Sequence, residues 1–369
     1  MSSTAVLIQS LVCLLLLAAA WLMPSFTTPT LPFGVRVPSN RVQAPVISEQ
    51  RRSYRWWVGL AGGAVLAAGT AWGLRTGSPA ASVLTVFAVL AVQLAGYLRA
   101  HRAIGAVKQR EQWYQGVRQG VVADTSLRTA PGRFPWLGAL PAALIVVATL
   151  VTGVVRYPSM PDRLPMHFNG PGHVDRFAAK SVGNVFAVVL AQLGLTLLLV
   201  LLTWLVFRAR PDLDPARAKV TAGQYRLFRT RMAHAMLTLT TCFDLSLAWA
   251  AWQIWSGSHT LAVLPVLLPI VVGLAVVLWA ALSSGQNGSR LRVAEQAPDA
   301  GPTTPPVEHQ DDDRHWRLGG LFYLNREDSA LFVPKRFGIG WTLNLANPGA
   351  VAFVVLLLGL AVGLPLLTR

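Results

Sequence analysis

Gly183 to Phe207 reads GNVFAVVLAQLGLTLLLVLLTWLVF, with no formal charge anywhere in it. A bilayer core is about 30 Å thick and a helix rises about 1.5 Å per residue, so roughly 20 apolar residues cross it. In lipid every backbone N–H and C=O must be satisfied within the segment. The stretch also lacks the alternating pattern of a barrel strand, so it reads as a spanning helix. Working outward, comparable runs lie near 5–23, 56–74, 80–98, 136–155, 234–256, 261–282 and 349–367. Only 234–256 holds a formal charge well inside, Asp244. The expectation is an all-α integral membrane fold with about eight transmembrane helices.

The composition agrees. The chain has 369 residues, 53% hydrophobic and only 13% charged, and its mean hydropathy is +0.47. Soluble domains carry about 25% charged residues, so this chain has too little polar side chain to cover a water-facing surface. Two cysteines exclude a disulfide framework and a Cys-rich zinc site. The first run has no basic residue before it and no small-x-small cleavage site before Pro24, so it is kept as a span and not as a secretion signal. The links 75–79 and 256–260 are short enough to force antiparallel helical hairpins.

Lys and Arg set the orientation. Loops 24–55, 99–135, 208–233 and 283–348 hold 26 of the 32 basic residues. These loops are therefore expected in the cytoplasm and both termini outside, in a multi-pass protein of the cell membrane. Topology and attraction to the bilayer's anionic headgroups account for the net charge of +16. Nucleic acid is not an expected partner, because the basic groups are spread over four loops without a stacking platform or helix-turn-helix pattern. The expected organisation is an N-terminal three-helix part at 1–135, a membrane domain at 136–282, a flexible linker at 283–313, a small cytoplasmic module at 314–347 and a last helix at 348–369. Gly59, Gly63, Gly69 and Gly73 form a small-residue stripe for close helix approach. Pro141, Pro265 and Pro269 are expected to kink or loosen their helices, and Trp249, Trp252 and Trp255 to form an interfacial belt.

The outward loop from Arg156 to Lys180 carries Pro158, Pro161, Pro165 and Pro171, which forbid helix through most of it. His167, Asn169, His173 and Asp175 crowd together there. One reading is a polar, protonation-sensitive ligand site at the membrane surface, and the other is a loop whose polar groups satisfy their own irregular backbone. The spacing matches no zinc pattern, so no metal and no cofactor is expected. The run Tyr157-Pro-x2-Pro-x3-Pro-x-His-Phe-Asn-x2-Gly-x2-Asp-x4-Lys180 resembles the signature loop of a bacterial membrane-protein family of unknown function that includes the SdpI-like immunity proteins. Pro165, His167, Asn169, Gly172, Asp175 and Lys180 match that pattern, although Arg176 intervenes before the aromatic Phe177. The resemblance implies a multi-pass protein that meets an extracytoplasmic peptide ligand, protects the cell and signals to a cytoplasmic regulator.

A second stretch, from Asp311 to Asn325 and on through Leu331 to Asn344, resembles a small uncharacterised domain found at the C-terminus of such proteins. Residues 314–347 are too few to bury a core alone and must dock on the membrane domain. Trp316, Lys335, Arg336 and Trp341 are its candidate interaction residues, suited to packing at helix ends or to a cytoplasmic partner. Phe33-Gly34 and Phe337-Gly338 form a weak repeat, a hint that the two segments meet.

Asp244 sits mid-span, where an ionised carboxylate costs about 2.5–3.5 kcal/mol on insertion scales. It is either a functional group or a neutral acid acting as packing glue, and Thr238, Thr240, Thr241, Gln253, Gln93 and Gln192 are candidates for a polar track around it. No metalloprotease, nucleophile-elbow or paired-acid pattern is present, so an enzyme is not expected. Binding, sensing or immunity is the first expectation, and a small-solute or ion transporter using Asp244 the alternative.

Overall fold

Each of the apolar runs coincides closely with a helix of the computed structural model, which describes residues 3–120, 132–168, 173–209, 211–260, 262–293 and 307–367. In chain order the helices are α1 (Ser3–Leu22), α2 (Pro45–Thr76), α3 (Pro79–Arg110), α4 (Leu140–Arg156), α5 (Val182–Phe207), α6 (Ala218–Trp255), α7 (Val263–Ser284) and α8 (Pro348–Leu367). Among the described residues five stretches are long and apolar enough to cross a membrane: Pro45–Thr76, Pro79–Arg110, Trp136–Ser159, Val182–Phe207 and Val263–Gly288. Gln9–Ser25 and Pro348–Gly359 are shorter apolar helices. Helix α6 falls outside the five because Thr238, Thr240, Thr241, Asp244, Ser246 and Gln253 dilute its apolar run. The exposed faces are themselves apolar: Leu190 and Leu197 on α5, and Leu264, Val271 and Trp279 on α7, point away from the protein. Such faces need lipid against them. The chain is a multi-pass membrane protein.

Backbone contacts divide the chain into two compact units. The first comprises residues 1–124, 210–222 and 285–369. Its helices α1, α2 and α3 pack on one another around Cys13, Leu17, Tyr54, Val58, Val89 and Tyr97. α2 changes to π geometry over Val58–Gly62. The expected glycine stripe serves only in part. A Cβ on Gly69 would run into the Thr85 side chain of α3, and one on Gly73 would press on Val6 of α1, whereas Gly59 and Gly63 have open space in front of them. Gly62, outside the expected stripe, does the remaining work by meeting Leu17. Short strands join the intervening segments: β1 (Gln119–Gly120) pairs in parallel with β4 (Glu308–His309), β5 (Trp316–Arg317) with β6 (Phe322–Tyr323), and β7 (Phe332–Pro334) with β8 (Trp341–Leu343).

The second unit comprises residues 125–209 and 223–284. Helix α4 packs on α5, and α7 runs back along α6 with Gly273 against Leu239 and Cys242. Between α4 and α5 the chain forms an antiparallel hairpin of β2 (Arg163–Phe168) and β3 (Val174–Ala179). Proline forbids helix but not an edge strand, and both strands of a two-stranded sheet are edges. The all-α expectation is thus correct for the membrane part and is supplemented by these small sheets in the loops.

Three expectations need correction. Pro141 and Pro265 fall in the first turns of α4 and α7, where no intrahelical hydrogen bond is lost, and only Pro269 is interior. Trp255 is not part of an interfacial belt: it is 2% exposed in the core beneath the hairpin, while Trp249 and Trp252 remain on the surface. Within the expected linker, residues 294–306 lie outside the described residues, but Ser284 and Gln286 are buried and Asp311–Asp313 form ion pairs. A charged run that finds opposite charge at short range gains from being fixed.

Because Gly69 and Gly63 differ only in what faces them, Gly69→Leu should lower the thermal midpoint of the purified protein, at a cost of about 1–3 kcal/mol typical of overpacking. Gly63→Leu should leave the midpoint within error. Equal effects of the two variants would refute the α2–α3 contact.

Candidate functional site

The hairpin is built from below. Met160 and Leu164 are buried on Val185, Val189, Ala251 and Trp255, and the Trp255 indole donates to the Val185 carbonyl at 3.0 Å. Val174 N–H donates to the His259 carbonyl at 3.2 Å and Phe177 packs edge-on against His259, which fastens β3 to the link between α6 and α7. Lys180 closes the loop: its ammonium donates to the Met160 carbonyl at 2.9 Å and lies 5.3 Å from the Tyr157 ring centre, while its N–H bonds the Asp162 carbonyl. Ser181 then caps α5, accepting from the Asn184 N–H.

On this base the structure brings two of the motif's polar residues together. His167 Nδ1 lies 2.5 Å from Asp175 Oδ1, with the side chains 60% and 44% exposed. His173 bridges to Thr260 through the backbone and is exposed. Asn169 and Gly172, also expected in the site, lie outside the described residues. Lys180 serves the backbone under the hairpin and does not join the His167–Asp175 pair.

Asp244 on α6 is 1% exposed. Thr196 Oγ1 of α5 is 2.9 Å and 3.0 Å from its two carboxyl oxygens, and Gln192 Nε2 donates to its main-chain carbonyl at 3.0 Å. The Thr196 hydroxyl also lies 2.8 Å from the Gln192 main-chain carbonyl. A threonine has one hydrogen to give, so the two carboxyl oxygens and the Gln192 carbonyl compete for it. Gln192 Oε1 is buried with no hydrogen-bond partner among the described residues. Of the expected polar track, Gln192 is in place, Thr240 and Thr241 bond their own helix, and Gln253 accepts from the Ala262 N–H. Thr196 was not foreseen, since one threonine in an apolar helix gives no sequence signal.

Among the described residues, the largest polar constellation is in the first unit. Arg336 reaches Asp312 and Asp313 and donates to the Gly34 carbonyl at 3.0 Å. Arg36 pairs with Asp212 at 2.9 Å and Asp312 at 3.3 Å, and Lys108 with Asp311 at 2.7 Å and Asp313 at 2.6 Å. Burial pushes the Asp312 carboxyl up, but Arg36 and Arg336 outweigh it and hold it at about 2. Asp313 is lowered likewise, burial being overcome by Arg336 and Lys108. Burial and Arg36 push the His309 imidazole down, against Asp212. Trp316 joins this cluster by donating to Asp312 at 3.3 Å beneath the Arg336 guanidinium. Lys335 is exposed and contributes its carbonyl to Gln286, and Trp341 lies in β8, so the four expected module residues do not form one site. Phe33 and Phe337 both pack on Tyr97, whose hydroxyl donates to the Gly319 carbonyl at 2.6 Å. The two Phe-Gly segments do meet. Sequence reasoning missed Arg36, Lys108, Asp212 and the acidic run. The available signal was the gathering of three adjacent acids in a chain that has only 16.

Residues 144–192, which contain the hairpin, match a domain of unknown function (DUF1648). Residues 326–351, from the β7–β8 hairpin into α8, match a family of unknown function (DUF5808). The first match makes the chain similar to the broad membrane-protein family that its hairpin motif resembles. No curated protein and no solved structure matches the chain.

Asp312 and Asp313 are depressed in the folded state below the ordinary carboxylate value of about 3.9. They therefore stabilise the module above about pH 4, and that contribution is lost as pH falls through about 2. Arg336→Gln should lower the thermal midpoint at neutral pH by removing one of the two cations beside each carboxylate, at a cost below the roughly 3–5 kcal/mol of a fully broken buried pair because Arg36 and Lys108 remain, while Lys335→Gln should change little. Thermal unfolding of both variants across pH checks this, and a pH-independent wild type would sink it.

Proposed function

We propose that the protein is a bacterial membrane-embedded binding and sensing protein, with the 157–180 hairpin receiving an envelope or peptide ligand outside the cell. The cytoplasmic loops and C-terminal module would then engage a regulator, a role akin to that of the immunity proteins whose motif the hairpin resembles. The reading takes the chain as eight spans with both termini outside, following its Lys and Arg distribution. It places the protein among binders and not among enzymes.

One observation carries the reading: the His167–Asp175 pair stands in solvent, above a base that is already held by Lys180, Trp255 and Leu164. An exposed ion pair contributes about 0–1 kcal/mol, so stability gives little reason for it. Its chemistry suits a ligand, because an imidazole beside a carboxylate offers both a donor and an acceptor at physiological pH. Replacing both residues, His167→Ala with Asp175→Ala, should abolish protection of a host cell against a susceptible membrane-active peptide while protein level and thermal midpoint stay unchanged. Unchanged protection against every tested peptide, with the protein still made, would remove the reading's support.

A second reading is favoured by a separate observation. Asp244 is served by the Thr196 hydroxyl and lies beside Gln192, whose Oε1 has no partner among the described residues, an arrangement that suits taking up and giving up a proton or cation in a transporter. In proteoliposomes, Asp244→Asn should then abolish a pH-dependent flux present in the wild type. No flux with either protein would argue against transport and leave Asp244 as packing glue between α5 and α6.

A further inference from the structure

A groove of about 630 Å³ runs along one face of α2, lined by Trp21, Arg51, Arg52, Arg55, Trp56 and Leu60 among others. Its chemistry changes along its length. Arg51, Arg52 and Arg55 stand at one end, and Gly59 and Leu60 at the other, about 13 Å away at the helical rise. That gradient matches the passage from phospholipid headgroup to acyl chain. The tryptophans mark the same level: Trp21 and Trp56 are exposed large aromatics beside the arginines, the position that indole rings take at a membrane–water interface.

The charge is uncompensated. None of the groove's lining residues is acidic, and among the described residues Arg51, Arg52 and Arg55 form no ion pair with a carboxylate. Arg51 and Arg55 are one helical turn apart, a spacing at which like charges repel. Elsewhere in this unit buried cations are matched closely, as Arg36, Lys108 and Arg336 are by four aspartates. Arg55 is also held and not trailing. Arg55 donates to Ser25 Oγ at 2.8 Å and lies 4.9 Å from the Trp21 ring centre, while its Nε is buried with no hydrogen-bond partner. Beyond them Gly59 has nothing within 4 Å of the place where a Cβ would stand, which leaves width for a chain.

We propose that this groove binds one anionic phospholipid, its phosphodiester held by Arg51, Arg52 and Arg55 and an acyl chain lying along Trp56, Gly59 and Leu60. Guanidinium groups suit the phosphate because they donate in pairs to two oxygens. The indoles and Leu60 select an amphiphile over a free anion. The site is distinct from the hairpin and from Asp244.

Native mass spectrometry of the purified full-length protein in neutral detergent tests this, with phosphatidylglycerol, phosphatidylcholine and inorganic phosphate as probes. Phosphatidylglycerol should bind about tenfold or more tightly than phosphatidylcholine, and Arg51→Gln with Arg52→Gln should remove that preference, each arginine near a lipid surface being worth roughly a fivefold factor. That double variant spares Arg55 and its bonds to Ser25 and Trp21. Gly59→Trp, which keeps every charge and fills the apolar end, should weaken phosphatidylglycerol binding as well, and it decides the matter if the arginine variant fails to fold. Equal binding of the two lipids, a preference unchanged in the folded arginine variant, phosphatidylglycerol binding unweakened by Gly59→Trp, or displacement of phosphatidylglycerol by millimolar inorganic phosphate would each overturn the proposal.

Discussion

Three buried cations dominate the first unit. Arg36, Lys108 and Arg336 are each almost wholly removed from solvent, and a charge in that position destabilises the fold unless its counter-charge is at hand. The partners come from Asp212 and Asp311–Asp313, so satisfying the cations draws together segments far apart in the chain: the loop after α1, the end of α3, the segment before α6, and the module before α8. The module has only short two-stranded pairs of its own and could not stand alone. Docking on Phe33 and Tyr97 supplies the apolar surface, and the ion pairs fix the register. Asn344 plays a similar part inside the module. Its fully buried amide accepts from the Asn325 N–H and donates to the Asn325 and Asp328 carbonyls, pinning the turn between β6 and β7 to the end of β8.

The second unit is organised by a different economy of polar groups. Its loop hairpin rests on an apolar patch, and its hydrogen bonds to the body run through the backbone, Lys180 and the Asn184 amide, which donates to the Ala179 carbonyl. Its hairpin keeps side-chain charge at the exposed face, at His167 and Asp175, while Asp244 and Arg229 are its buried charged groups among the described residues. Trp255 links the two levels. It fills the space under Leu164, and its N–H satisfies the Val185 carbonyl in the first turn of α5, so the hairpin's position is tied to where α5 begins.

Much of this architecture was legible in the chain. Runs such as 183–207 announce their helices because burial in lipid removes every other way of satisfying a backbone, and their observed ends differ from the reading by only a few residues. The long starts of α2 and α6 and the long end of α3 were not legible. There the helix continues past the apolar run into charged residues, such as Ile47 to Arg55 of α2, where amphipathic packing and not hydropathy sets the boundary. The glycine stripe was visible, but sequence could not tell Gly69, which faces Thr85, from Gly63, which faces nothing. The ion cluster stayed hidden for a simpler reason. An acidic triplet beside a proline-rich stretch has the composition of a solvated linker, and only the fold brings Lys108 and Arg336 to it. In the hairpin, the motif marked the right segment without separating Lys180, which builds the base, from His167 and Asp175, which stand on it.

That separation bears on which of the molecule's polar groups are free to work. A group bound by several fixed partners resists change, because every partner must be compensated when it moves or alters its charge. Arg336, with two carboxylates, a carbonyl and an indole about it, is in that position, and so is Lys180 with two carbonyls and a ring. His167 and Asp175 have each other and water, and exchanging either contact for a ligand costs little. Asp244 lies between these cases. It is buried, and its carboxyl meets the Thr196 hydroxyl, whose hydrogen is also claimed by the Gln192 carbonyl, with the Gln192 side chain close by. Few fixed partners thus surround the polar groups at the hairpin's rim and the Asp244 carboxyl, while the cluster around Arg336 is the part best suited to holding still.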